Sequence, residues 1–116
     1  MKGLDMLFVM TAEFLGQPDD DLLAAHIAWL VPQFEAGTFV ISGGVGGVGS
    51  IPPSALAVME AESREAALAV LDDEPFFRAG KVRHEVRPYE VRVASAELDA
   101  RLTATDTRVV ARTTSG

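Results

Sequence analysis

One imidazole and one run of carboxylates carry most of the chemical potential of this chain. His26 stands in the apolar stretch Leu22-Leu23-Ala24-Ala25-His26-Ile27-Ala28-Trp29-Leu30, on a face that otherwise reads as core. Asp72, Asp73 and Glu74 stand together directly before Pro75, in the segment Asp72-Asp73-Glu74-Pro75-Phe76-Phe77-Arg78-Ala79-Gly80. A histidine and a carboxylate that meet in a pocket can perform general acid–base catalysis. In such a pair the carboxylate also fixes which ring nitrogen carries the proton.

Each feature has a plainer reading. At about 100° per residue, His26 falls close to Leu22 and Leu30, inside the apolar arc but towards its edge. A histidine packed in the core, its nitrogens satisfied by backbone, would fit there too. Among the acids, Asp72 reads as a solvated cap. Carboxylates are unfavourable at a helix C-terminus, which hints that at least one of the three has another task. Phe76 and Phe77 would anchor the segment on the core.

Other candidates are weaker. Gly44-x-Gly46-x-x-Gly49 follows a strand, as a dinucleotide fingerprint does, but Ile51-Pro52-Pro53 and a strand follow it where a helix is required. The glycines read instead as a mobile link bordering a pocket. His84 alternates with Arg83 and Glu85 and reads as an exposed or interface residue. Two histidines and no cysteine make a dedicated metal site improbable, and no metal or cofactor is expected. No Gly-x-Ser-x-Gly elbow supports a serine nucleophile. Phe14, Trp29 and Tyr89 read as packing residues, though a pocket beside His26 could use Trp29.

The elements that must position these groups follow from the order of patterns. Leu4–Met10 reads as a first strand. Asp19-Asp20-Asp21 opens a helix whose apolar residues Leu23, Ile27, Leu30 and Phe34 keep the period to about Gly37, with Pro32 expected to end or kink it early. Phe39–Ser42 is a second strand and Ala55–Glu60 a third. Ser63 is a plausible N-cap for a helix over Arg64 to about Leu71. Val82–Val93 reads as a long fourth strand whose parity changes near Pro88-Tyr89, where a bend or bulge is expected. Ala96–Leu102 suggests a short helix, and Thr103–Gly116 a loose tail.

Strand, helix, strand, strand, helix, strand is the βαββαβ order of a ferredoxin-like α+β fold, with a four-stranded antiparallel sheet. The domain is expected over residues 1–95, with residues 96–116 as a C-terminal appendage. Strands one and three are apolar on both faces, yet two helices cover only one face of such a sheet. A homodimer with sheets facing each other is the expected remedy.

Bulk properties agree with one globular domain. The chain has 116 residues, 48% hydrophobic and 23% charged. A net charge of −7 argues against nucleic-acid binding, which needs clustered Lys and Arg. Without cysteine there are no disulfides and no thiolate chemistry. No apolar run approaches the ~18 residues of a membrane span, and no basic region precedes a long apolar stretch at the N-terminus. A cytoplasmic protein is expected, with no nucleic acid or membrane as partner.

Taken together, four features resemble the YciI-like family of small dimeric α/β-barrel proteins, the YCII-related domain. They are the helix histidine His26, the strand Gly37-Thr38-Phe39-Val40-Ile41-Ser42-Gly43, the segment Glu74-Pro75-Phe76-Phe77-Arg78-Ala79-Gly80, and the closing Glu85-Val86-Arg87-Pro88-Tyr89. The resemblance covers Leu4 to Val93 and implies a ferredoxin-like protomer, a dimer and a histidine–aspartate active centre. His26 takes the histidine role. The aspartate before Pro-Phe falls on Glu74, whose extra methylene changes its reach by on the order of 1.5 Å; Asp73 after a one-residue slip is the alternative. The resemblance further implies a cofactor-free lyase or isomerase that eliminates, dehalogenates, isomerises or cyclises a small ring compound. Ser42, Gly43, Trp29 and Phe76 would line its pocket. A non-catalytic ligand-binding or accessory protein, and a cofactor-free monooxygenase of the related barrel group, are the alternatives.

Overall fold

The computed structural model describes residues 6–98. In chain order it contains β1 (Met6–Phe14), α1 (Asp20–Glu35), β2 (Phe39–Val45), β3 (Ser54–Ala61), α2 (Arg64–Leu71), a four-residue helix α3 (Pro75–Arg78) and β4 (Val82–Pro88). The strands form one sheet in the order β2-β3-β1-β4, every neighbouring pair antiparallel. This is the expected ferredoxin-like arrangement, with α3 as an addition.

Local chemistry explains the helices. Asp19 caps α1, its Oδ1 accepting from Leu22 N at 2.8 Å, and Asp20 and Asp21 add negative charge to a first turn where it is favourable. Pro32 does not end this helix, which runs on to Glu35. The Pro32 carbonyl still accepts from Ala36 N at 2.9 Å, so only the bond its own missing N–H would donate is lost. Gly37 then turns the chain with φ of 80°, a conformation that favours glycine. Ser63 caps α2 as expected, Oγ accepting from Ala66 N at 3.0 Å. Arg64 Nε donates to Val86 O at 2.8 Å and ties the start of α2 to β4.

Strand alternation divides the sheet into two unlike faces. Phe8, Met10 and Ala12 face the helices, in register with Met59, Ala57 and Ala55 on one side and with Pro88, Val86 and His84 on the other. Most of these belong to a buried cluster that includes Phe39, Leu71 and Phe76. The opposite face is only partly covered. Tyr89 N donates to Leu7 O at 2.9 Å, and the chain after β4 runs along that face, burying Leu7 and Ala94. Ile41, Val45 and Leu56 on the same face stay 59%, 47% and 37% exposed.

Three strand limits differ from expectation. β1 extends to Phe14 because Ala12 and Glu13 find partners in both β3 and β4, and Phe14 pairs with Val82 of β4. β2 continues through Gly43 and Gly44 to Val45, paired with Ser54. β4 stops at Pro88 instead of Val93: its pairing with β1 ends at Phe8 opposite Pro88, and after the single bond from Tyr89 N to Leu7 O the chain leaves the sheet, so the parity change is a strand end, not a bulge. The glycine run leads into β3, so the helix a nucleotide loop needs is not there. Its tip is a two-residue turn at Gly49-Ser50, with Val48 and Ile51 exchanging N–H···O bonds of 3.0 and 2.9 Å. Residues 96–98 are helical; the rest of the expected helix and the tail lie outside the described residues.

Candidate active site

Glu74 organises the site, and its own backbone explains its place. Pro75 occupies the first turn of α3, where its missing N–H costs nothing, and Glu74 is the N-cap. Its Oε2 accepts from Phe76 N at 2.8 Å and Oε1 from Phe77 N at 3.1 Å. The expected conflict of a carboxylate with the end of α2 does not arise at Glu74, which meets the favourable N-terminal end of α3. The residue is only 4% exposed.

His26 approaches from α1. Its Nδ1 lies 2.8 Å from Glu74 Oε2, and its ring stacks on Phe76 with centroids 4.3 Å apart and planes 15° from parallel. Burial by itself would raise the pKa of the Glu74 carboxyl. Bonds from His26 and the Phe76 N–H, the nearby His84 and the charge available on His26 outweigh it, and bring the pKa from 4.5 down to about 2. An ionised carboxylate only accepts hydrogen bonds, so Nδ1 of His26 is the nitrogen that carries the proton. Nε2 has no protein partner among the described residues. In a neutral ring it holds the lone pair, so the arrangement presents a base.

The space beside the pair is a cavity of about 250 Å³ between the helices and the sheet. Trp29, Ser42, Gly43 and Phe76, the expected pocket residues, all line it. Phe14, Phe39 and Leu30 add apolar wall, and His26, Glu74 and His84 are the only ionisable residues in the lining. A largely apolar cavity with a few convergent polar groups has the character of a small-molecule site.

Two assignments require correction. Asp73, the alternative partner for His26, points away: its side chain is 75% exposed and lies 3.3 Å from Arg78 Nη1. Capping directs the Glu74 side chain inward, and the preceding residue is left facing solvent. His84 is not an exposed strand residue. Its side chain is 6% exposed, its ring stacks on Phe77 at 5.0 Å, and Nε2 stands 3.7 Å from Glu74 Oε1. The sequence held the signal, because His84 shares strand parity with Val82 and Val86, both buried on the helix-facing side. The charged neighbours Arg83 and Glu85 obscured it.

Comparisons with known proteins follow the same lines. The family model described as the YCII-related domain matches residues 6–90. Among solved structures, the chain is similar to 5-chloro-2-hydroxyhydroquinone dehydrochlorinase (TftG) from Burkholderia phenoliruptrix AC1100, in complex with 2,5-dihydroxybenzoquinone. The TM-score is 0.59 at 25% identity, over 73% of this chain and 94% of that one. No curated protein matches by sequence. No described helix is long and apolar enough to cross a membrane.

Proposed function

The chain belongs to the YCII-related domain family, and on that premise we propose that it is a cytoplasmic, cofactor-free lyase or isomerase acting on a small hydroxylated ring compound. The observation that carries the reading is the His26–Glu74 pair: a base whose tautomer is set by a buried, ionised carboxylate 2.8 Å away, at the wall of an apolar cavity. The similar TftG is a dehydrochlorinase with a dihydroxybenzoquinone bound, which supports an elimination and a ring-sized ligand.

In such an elimination Nε2 of His26 takes a proton from a ring hydroxyl or the adjoining carbon. The freed electron pair moves into the ring system, and the leaving group departs with its bonding electrons. Glu74 stabilises the imidazolium that forms and holds the ring in position. Trp29, Phe39 and Phe76 would hold the substrate ring and exclude water, with Ser42 and the backbone of Gly43 at the polar rim. The sheet face opposite the cavity, with Ile41, Val45 and Leu56 exposed, supports a homodimer through that surface.

The test is chloride release from 5-chloro-2-hydroxyhydroquinone by the wild-type chain and by His26→Ala. General-base catalysis of this kind contributes about 10²- to 10⁴-fold, and a loss of that size is expected with the fold intact. An unchanged rate in His26→Ala would remove His26 as the base, and no chloride release by the wild type would remove the elimination. A wild-type chain that binds 2,5-dihydroxybenzoquinone without turning over any hydroxylated ring would favour a ligand-binding protein instead.

A further inference from the structure

The chain has two histidines, and both stand against the same carboxylate. His26 reaches Glu74 Oε2 from α1, and His84 faces Oε1 from β4 at 3.7 Å. Nothing about packing alone requires an imidazole at position 84. It lies between Val82 and Val86, both buried, opposite Ala12 and against Phe77, where an apolar side chain would avoid the cost of desolvating a polar ring. His84 also lines the cavity.

We propose that His26 and His84 form one proton-carrying unit bridged by Glu74, with His84 as a second acid–base group of the site. One negative charge in an apolar surrounding stabilises one imidazolium well and leaves a second without a counter-charge. Proton binding at either ring therefore opposes proton binding at the other, and the pair titrates as a unit. No further charge intervenes among the described residues lining the cavity. On β4, Arg83 and Glu85 belong to the other sheet face, and Arg83 pairs with Glu13 there; on α3, Arg78 pairs with Asp73 at the surface.

A unit holding one proton on two rings offers a base and an acid at once. The proton removed from the substrate goes to the neutral ring, and the proton on the other ring goes to the leaving group or a carbonyl oxygen. The proton count of the pair is unchanged across the step. This catalytic part rests on the lyase or isomerase reading; the coupling itself does not.

The deciding experiment is a pH titration of ¹⁵N-histidine-labelled full-length chain by NMR, for wild type and His84→Gln, alongside pH–rate profiles on 5-chloro-2-hydroxyhydroquinone. In the wild type each imidazole should titrate in two phases, inflecting where its partner titrates. In His84→Gln the His26 curve should become a single step, kcat should fall about 10- to 100-fold with KM within about threefold, and one limb of the pH–rate profile should vanish. Two independent single-step curves in the wild type would overturn the proposal, even if the variant does not fold. So would a His26 curve unchanged in His84→Gln. Two-phase curves together with no turnover of 5-chloro-2-hydroxyhydroquinone by the wild type would uphold the coupling and overturn the lyase reading, so the two failures are distinguishable.

Discussion

The two faces of the sheet use similar apolar residues for opposite purposes. On the helix-facing side Met10, Phe14, Phe39 and Phe76 line the cavity beside a charged group, and Glu74 and His26 meet there at 2.8 Å. On the other side Ile41, Val45 and Leu56 sit on a pleated surface whose ion pair, Arg83 with Glu13, is exposed, and residues after β4 cover only part of it. The difference teaches where function can reside. Low dielectric sharpens an electrostatic interaction only where water is excluded, and on the first face Glu74 is buried in such a place. The second face is suited to recognition by shape.

Paired perturbations test that contrast. Phe76→Ala should be the most damaging, because it removes a buried ring and the surface under the His26 imidazole. A loss of about 3–5 kcal/mol is expected in urea unfolding. Acidification should strike the same face next. The Glu74 carboxyl has its pKa lowered in the fold, from 4.5 to about 2, so its stabilising contribution is complete above the upper value and is lost as pH falls through the lower one. That contribution is on the order of 2–3 kcal/mol. Wild type compared with Glu74→Gln at pH 6 and pH 2 should show it; equal acid sensitivity of the two would contradict it.

On the open face Ile41→Lys should leave the protomer's stability within about 1 kcal/mol, since the side chain is 59% exposed. Sedimentation should instead show dimer association weakened at least ~10-fold, by burial of an unpaired charge. Unaltered association would place any dimer elsewhere. The smallest effect belongs to Asp73→Asn. Its ion pair with Arg78 is exposed on both sides, and both stability and turnover should stay within about 0.5 kcal/mol of wild type.

Much of the fold was legible because local signals and long-range packing agree. Ser63 caps α2 where a serine before an apolar-periodic run should, and Asp19 opens α1 in the same way. The order of elements then leaves few topologies to consider. Where the reading went astray, a residue's neighbours outvoted the residue itself. Pro75 stands where it could stop α2, yet proline equally begins a helix, and that second role turns Glu74 into a cap whose side chain folds inward. His84 was assigned by the charges on either side, although strand parity placed it with Val82 and Val86. The end of β4 could not be read locally, because it is set by where the chain after Pro88 turns away from β1 to cover the sheet.

The location of His26 beside a carboxylate was legible in outline; the choice among three consecutive acids was not. It depends on which backbone amides lie free at the start of α3, and that is a property of the folded segment.

The cap at Glu74 also sets a lifetime for the site. A helix of four residues has no stability of its own, and α3 persists only through its neighbours and its cap. Each local opening of this turn breaks the bonds to the Phe76 and Phe77 amides, and the acid beside His26 becomes an ordinary solvated carboxylate. The fraction of molecules that present the His26–Glu74 pair is then the closed fraction of one turn. A mutation that loosens α3 would lower the concentration of protein with the pair formed while the sheet remains folded, and hydrogen exchange at those two amides would measure it directly.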